Sequence, residues 1–277
     1  MGAEDQLLMG GIFATWTAQH LRNALPSALI VPLIFAAGFI GGALWGIIPA
    51  ILKIKYAINE VITTLMLNYI CAEFLTMLIV GPWKGKTRFG FPGTDALPDA
   101  AILGVLPGSR IHYATLILAI VLAIAAWFFM ELTRMGIQIR STGENPKATE
   151  SQGVNVSLIR YACVLVGGVF SALAGAHLSI SYSSSWVEGM TAGRGWIAIA
   201  LTIFALWNPG RAIFASFLFG GIFVLQYLLQ PLGISPNFLA MLPYLCTLII
   251  LLAISFKNPR RLNAPAWLGA AYKRGER

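Results

Sequence analysis

Residues 141–156 read "STGENPKATESQGVNV", a short polar segment in a chain that is otherwise strongly apolar. Asn145 is a good N-cap, because its side-chain oxygen can accept a hydrogen bond from the first turn of a helix. Pro146 suits the first helical position, where a backbone N–H has no intrahelical partner to lose. Gly153 supplies the stop, since glycine enters the left-handed conformation at least cost. These signals bracket a helix over 146–152. A helix of about seven residues does not hold itself together in water. It either docks on another protein or packs as a capped turn against its own chain.

Long apolar runs flank this segment on both sides. Apolar residues make up 57% of the chain and charged residues 11%, with a mean hydropathy of +0.75. Soluble domains carry about 45–50% apolar and about 25% charged residues, so the chain belongs to the membrane class. Spans of about 20 apolar residues are predicted at 27–51, 58–80, 113–134, 159–181, 212–230 and 237–256. Two shorter runs, 7–21 and 195–207, bring the expectation to about eight transmembrane or partly spanning helices in an all-α polytopic fold. One transmembrane domain over 1–256 and a basic tail over 257–277 complete the expected organisation.

Lys and Arg number 19 against 11 Asp and Glu. In a membrane chain this excess sets topology rather than binding nucleic acid. With both ends cytoplasmic, Lys53, Lys55, Arg134, Arg140, Lys147, Arg160, Arg211, Lys257, Arg260, Arg261, Lys273, Arg274 and Arg277 lie inside. Arg22, Lys84, Lys86, Arg88, Arg110 and Arg194 lie outside, thirteen against six. The polar segment is then cytoplasmic, within a loop over 136–158, and 81–112 is the longest external loop.

No enzyme constellation emerges. "GPWKGKT" at 81–87 imitates a phosphate-binding loop, but Val80 stands where the first glycine belongs and no strand precedes it. His20, His112 and His177 are scattered, and Cys71, Cys163 and Cys246 sit singly inside apolar runs without metal-ligand spacing. The opening "MGAEDQ" has two acids and no basic region, unlike a signal peptide. The segment 179–196 is an external loop or a re-entrant stretch, with Trp186 and Trp196 as interfacial anchors.

Polar groups at membrane depth are expensive and mark either an aqueous path or bonds to neighbouring helices. In "INEVITTLMLNYI", 58–70, the residues Glu60, Thr64 and Asn68 recur every fourth position and align on one helix face, with Asn59 and Thr63 beside them. Glu73 falls off this stripe and is expected to have a separate packing partner.

The loop anchored on Gly136 and running to Val156 resembles the main cytoplasmic loop of bacterial ABC-importer permeases of the branched-chain amino acid, ribose and nucleoside group. Gly136, Arg140, Gly143, Glu144, Asn145, Pro146, Ala148, Gly153 and Val154 fall on that pattern, and Thr149 departs from its usual alanine. "INEVITTLMLNYI" and "GRGWIAIALTIFALWNPGRAIFASFLFGG", 193–221, are similar to the same family, above all to its nucleoside-type members. The resemblance implies a permease driven by a separate ATPase, with ATP and Mg²⁺ on that partner and no cofactor on this chain. It implies a coupling role for Arg140, Gly143, Glu144, Asn145, Pro146, Ala148 and Gly153, and a translocation path lined by Asn59, Glu60, Thr63, Thr64 and Asn68. Implied partners are a second permease, forming a heterodimer, and an extracytoplasmic solute-binding lipoprotein at the bacterial inner membrane. The implied solute is nucleoside-like or a simple sugar, with an amino acid or an ATP-independent secondary carrier as alternatives. Family members carry "NIGAEGQLL" after an earlier membrane portion, where this chain opens "MGAEDQLLMGG". On this comparison N-terminal spans are expected to be absent, and Asp5 takes the place of a glycine.

Overall fold

The computed structural model describes residues 2–21, 26–86, 92–97, 101–109, 111–182, 184–257, 264–270 and 272. Thr87 of the phosphate-loop look-alike lies outside them, as does most of the basic tail. So do Arg22, Arg88, Arg110, Arg260, Arg261, Lys273, Arg274 and Arg277 of the charge tally. Most of the described residues are helical, with turns and two isolated bridges between helices. The α-helices run in the order α1 (Ala3–His20), α2 (Ser27–Tyr56), α3 (Glu60–Val80), α4 (Tyr113–Leu132), α5 (Arg134–Glu144), α6 (Pro146–Ser151), α7 (Val156–His177), α8 (Arg194–Phe204), α9 (Pro209–Leu229), α10 (Pro236–Ala240) and α11 (Leu242–Lys257).

Among the described residues, five segments are long and apolar enough to cross a membrane: Leu29–Tyr56, Glu60–Val80, Tyr113–Leu132, Val156–Ser181 and Pro209–Leu232. The all-helical, multi-span fold agrees with expectation, while the count of eight transmembrane or partly spanning helices is not confirmed. The run 7–21 lies within α1, which carries Glu4 and Asp5 in its first turn. The run 195–207 is helical only to Phe204, because Leu206 and Trp207 both take left-handed backbone angles. The run 237–256 is broken between α10 and α11. Pro243 has no N–H to give and its ring crowds the carbonyl four residues back, which favours a break at that point.

The chain divides into two compact units. The first comprises Met1–Ile117, Asn155–Gly195 and Ala271–Arg277. At its centre α1 packs against α2, α7 and α3, and from Glu4 to Ala18 only Phe13 and Trp16 are not buried. Small residues make this close approach possible. A side chain at Gly10 or Gly42 would collide with Ala172, and one at Gly175 would strike the Leu7 carbonyl. Helices in lipid associate through such close backbone packing, since burying apolar surface against apolar lipid gains little. The glycines that make α1 look weak as an isolated span are therefore what seat it among its neighbours.

Near the far end of α7 the helix widens into a π-turn, Leu178–Tyr182, where Ser179 and Thr15 share a 2.6 Å hydroxyl contact. The stretch beyond it is held to the first unit at Trp186. Thr94 N–H donates to the Trp186 carbonyl at 2.9 Å, and Trp186 N–H donates to Thr94 Oγ1 at 2.8 Å. Trp186 is completely buried against Gly11 rather than sitting at a membrane surface, whereas Trp196 is half-buried. The phosphate-loop look-alike has its own bonds, with Gly85 N–H on the Gly93 carbonyl and Lys86 N–H on the Asp95 carboxylate.

The second unit comprises Leu118–Val154 and Trp196–Ala270. Within it α9 packs against α10 and α11, and the Phe204 and Phe219 rings meet edge-on at 6.3 Å. Asn208 caps α9 by accepting from Arg211 N–H at 3.1 Å, with Pro209 in the first turn.

Candidate functional site

The α5–α6 corner is built by local chemistry. Thr133 interrupts the chain after α4 and caps α5, accepting from Gly136 N–H at 3.1 Å. Gly136 is buried, and any side chain there would run into the Phe129 and Met130 carbonyls at the end of α4. This requirement for close backbone approach fixes glycine at the fold-back. Arg140 reaches back to Glu131 at 2.8 Å, an exposed ion pair between α5 and α4. At the other end of α5 the Gly143 carbonyl, one of the last without an intrahelical partner, accepts from Trp267 N–H at 2.9 Å. Pro265 packs over Gly143 itself.

Asn145 ends α5 and starts α6. Its Oδ1 accepts from Ala148 N–H at 3.0 Å, and its carbonyl accepts from Thr149 Oγ1 at 2.9 Å. The helix runs Pro146–Ser151, one residue shorter than the expected 146–152, because Gln152 forms its C-cap. Gly153 follows with φ of 81°, in the left-handed region its sequence position predicted. Pro146 and Thr149 are buried, while Glu144, Lys147, Ala148, Ser151, Gln152 and Gly153 are exposed. The corner thus holds a short helix by its inner side and leaves a mixed polar surface facing outward. The Thr142 hydroxyl, buried beside it, has no hydrogen-bond partner among the described residues.

On α3, Glu60, Thr64 and Asn68 share a face as their spacing predicted, but they do different things. Asn59 is exposed and caps the helix through Val61 N–H at 2.9 Å. Glu60 pairs with Lys53 at 2.6 Å. Thr63 and Thr64 return their hydroxyls to the Glu60 carbonyl at 3.1 and 2.7 Å, and Thr64 is buried, with its methyl group against Gly2. Asn68 keeps a buried Oδ1 with no hydrogen-bond partner among the described residues. Glu73, for which a packing partner was expected, is exposed and has none among the described residues.

One polar cluster was missed by the sequence reading. Glu4, Asp5 and Gln6 are all buried at the head of α1. Glu4 Oε2 accepts from Gly195 N–H at 2.6 Å, where a side chain on Gly195 would clash with the Glu4 backbone. Asp5 accepts from Gln6 N–H at 3.0 Å and from the Trp45 indole N–H at 3.1 Å. Ser171 Oγ donates to the Ala3 carbonyl at 2.5 Å. The signal was available: two of only eleven acidic residues stand together at the head of an apolar run, where charge must be bonded or functional.

The family model for the permease component of branched-chain amino acid transport systems matches residues 1–253. A putative glucose ABC transporter permease protein, TsgC13, of Haloferax volcanii is 32% identical over 265 residues, covering 87% of this chain and 80% of that one. The guanosine ABC transporter permease protein NupQ of Bacillus subtilis is 29% identical over 297 residues, covering 100% and 88%. The nucleoside ABC transporter permease protein NupC of Lactococcus lactis is 30% identical over 223 residues, covering 77% and 70%. No solved structure matches the chain.

Proposed function

This chain belongs to the branched-chain amino acid transport permease family, and from that premise we propose how it is driven and what it carries. It is a multi-pass membrane protein and the permease subunit of an ABC importer, a transport subunit rather than an enzyme. In the proposed mechanism the outward surface of α6 sits in a groove of a cytoplasmic ATPase subunit. ATP and Mg²⁺ bind to that partner, and its closure moves α6. The movement passes through α5 to the spans, because Asn145 caps one helix while ending the other. The single observation behind this reading is the capped α6, too short to stand alone and exposed along Lys147, Ala148 and Ser151. With α6 in the cytoplasm, the α2–α3 connection beside Lys53 and Lys55 is cytoplasmic as well, in keeping with the Lys and Arg tally.

The path is assigned to α3, whose Asn59, Glu60, Thr63, Thr64 and Asn68 supply polar groups along the span. The names of the relatives favour a nucleoside-like solute or a simple sugar. An extracytoplasmic solute-binding lipoprotein would deliver it. A second, non-identical permease would complete the path, in keeping with the distinct guanosine permeases NupP and NupQ of one organism.

The test is to scramble Asn145–Gly153 and co-express the chain with its ATPase. The expected result is normal membrane insertion with loss of ATPase co-purification and of ATP-driven uptake. Undiminished co-purification and uptake would remove the coupling role.

A further inference from the structure

Viewed down its axis, α3 has two opposite faces. Thr64, Leu67, Cys71, Leu75 and Ile79 are buried. At about 100° per residue, Glu73 lies about 180° from Thr64, at the centre of the other face. That face carries Ile62, Met66, Tyr69, Met77 and Val80, each more than half exposed, and Tyr69 sits one turn before Glu73. The helix is about 30 Å long, so Glu73 lies about 20 Å from its start and about 10 Å from its end, inside the hydrocarbon thickness. A glutamate side chain is too short to carry its carboxylate to either surface from that depth.

A carboxylate so placed cannot face lipid tails without a large penalty, and intramembrane carboxylates face water, a partner group or a cavity. Among the described residues no neighbouring helix covers this face. Its exposed residues are bulky. What suits Ile62, Met66, Tyr69, Glu73 and Met77 together is a wetted wall with two polar groups set among adaptable apolar ones. We propose that the Glu73 face of α3 borders the water-filled path, and that Glu73 and Tyr69 are contacts for an uncharged solute rich in hydroxyl or amino donors. The Glu73 carboxylate accepts from those donors, and the Tyr69 ring offers a flat apolar surface with a hydroxyl at its rim. This rests on the import function proposed above and changes which side of α3 the solute passes.

The experiment uses the full transporter, with its ATPase, in membrane vesicles. Cys163 and Cys246 are replaced by alanine, and Tyr69→Cys, Glu73→Cys and Thr64→Cys are compared for reaction with a charged methanethiosulfonate. The expected result is labelling at positions 69 and 73 in at least one state of the ATP cycle, with position 64 unreactive. Labelling at 64 alone overturns the proposal, because the path then runs on the inner side and the import function stands. Protection of 69 and 73 in every state also overturns it. Glu73→Leu is expected to lower ATP-driven guanosine or glucose uptake about tenfold or more, the effect of losing a hydrogen bond to a charged group. Co-purification of the ATPase should be unchanged. Unaltered uptake by Glu73→Leu overturns the solute contact, whereas absence of ATP-driven uptake by the unsubstituted transporter would fault the import function itself.

Discussion

At the scale of single residues, the α5–α6 corner was readable because its determinants are local. An N-cap, a proline and a left-handed glycine act within a few positions of themselves, and Asn145, Pro146 and Gly153 occupy those roles in the structure. Asn145→Ala removes the acceptor for Ala148 N–H and is expected to cost about 1 kcal/mol of local stability. Hydrogen exchange should show faster exchange at 147–150 with no change in α4 or α9. Equal protection in the variant would mean that packing of Pro146 and Thr149, not the cap, holds α6. Glu4 and Trp186 were not readable in this way. Their roles depend on Gly195 and Gly11, which are remote in sequence, and nothing in the spacing of Glu4 or Trp186 points to those partners.

At the scale of elements, the long apolar runs announced α2, α3, α4, α7 and α9, because length and hydropathy alone define a membrane-crossing helix. What hydropathy could not give was the place of α1. Its Gly10 and Gly11 weaken it as an isolated helix and are needed for α7 and Trp186 to approach. Gly10→Val is therefore expected to destabilise the first unit by at least ~1–3 kcal/mol, since it inserts volume where Ala172 already fills the space. Thermal unfolding in detergent should shift down, more than for Gly220→Val in α9, where no atom of another element among the described residues stands in the way. An equal effect at both positions would show that helix propensity, not packing, governs α1. The break between α10 and α11 follows the same logic in reverse: Pro243 was visible in the sequence, but its run was apolar enough to be taken as one span.

At the scale of the whole molecule, family and general function were legible because separated motifs occur in order along the chain, and the family match extends over residues 1–253. The solute was not, because the polar groups of α3 serve caps, ion pairs and backbone bonds as readily as a path. The central claim is that an ATPase drives this permease through α6. It is tested most directly by a photo-crosslinking residue at Ala148, exposed on the outward surface of that helix. In assembled transporter a crosslink to the ATPase subunit is expected, with a yield that changes when ATP is added. A crosslinker at exposed Phe217 in the span α9 should give no ATPase product. Absence of an ATPase crosslink from Ala148, in a complex that otherwise transports, would mean that α6 is not the contact through which the ATPase acts.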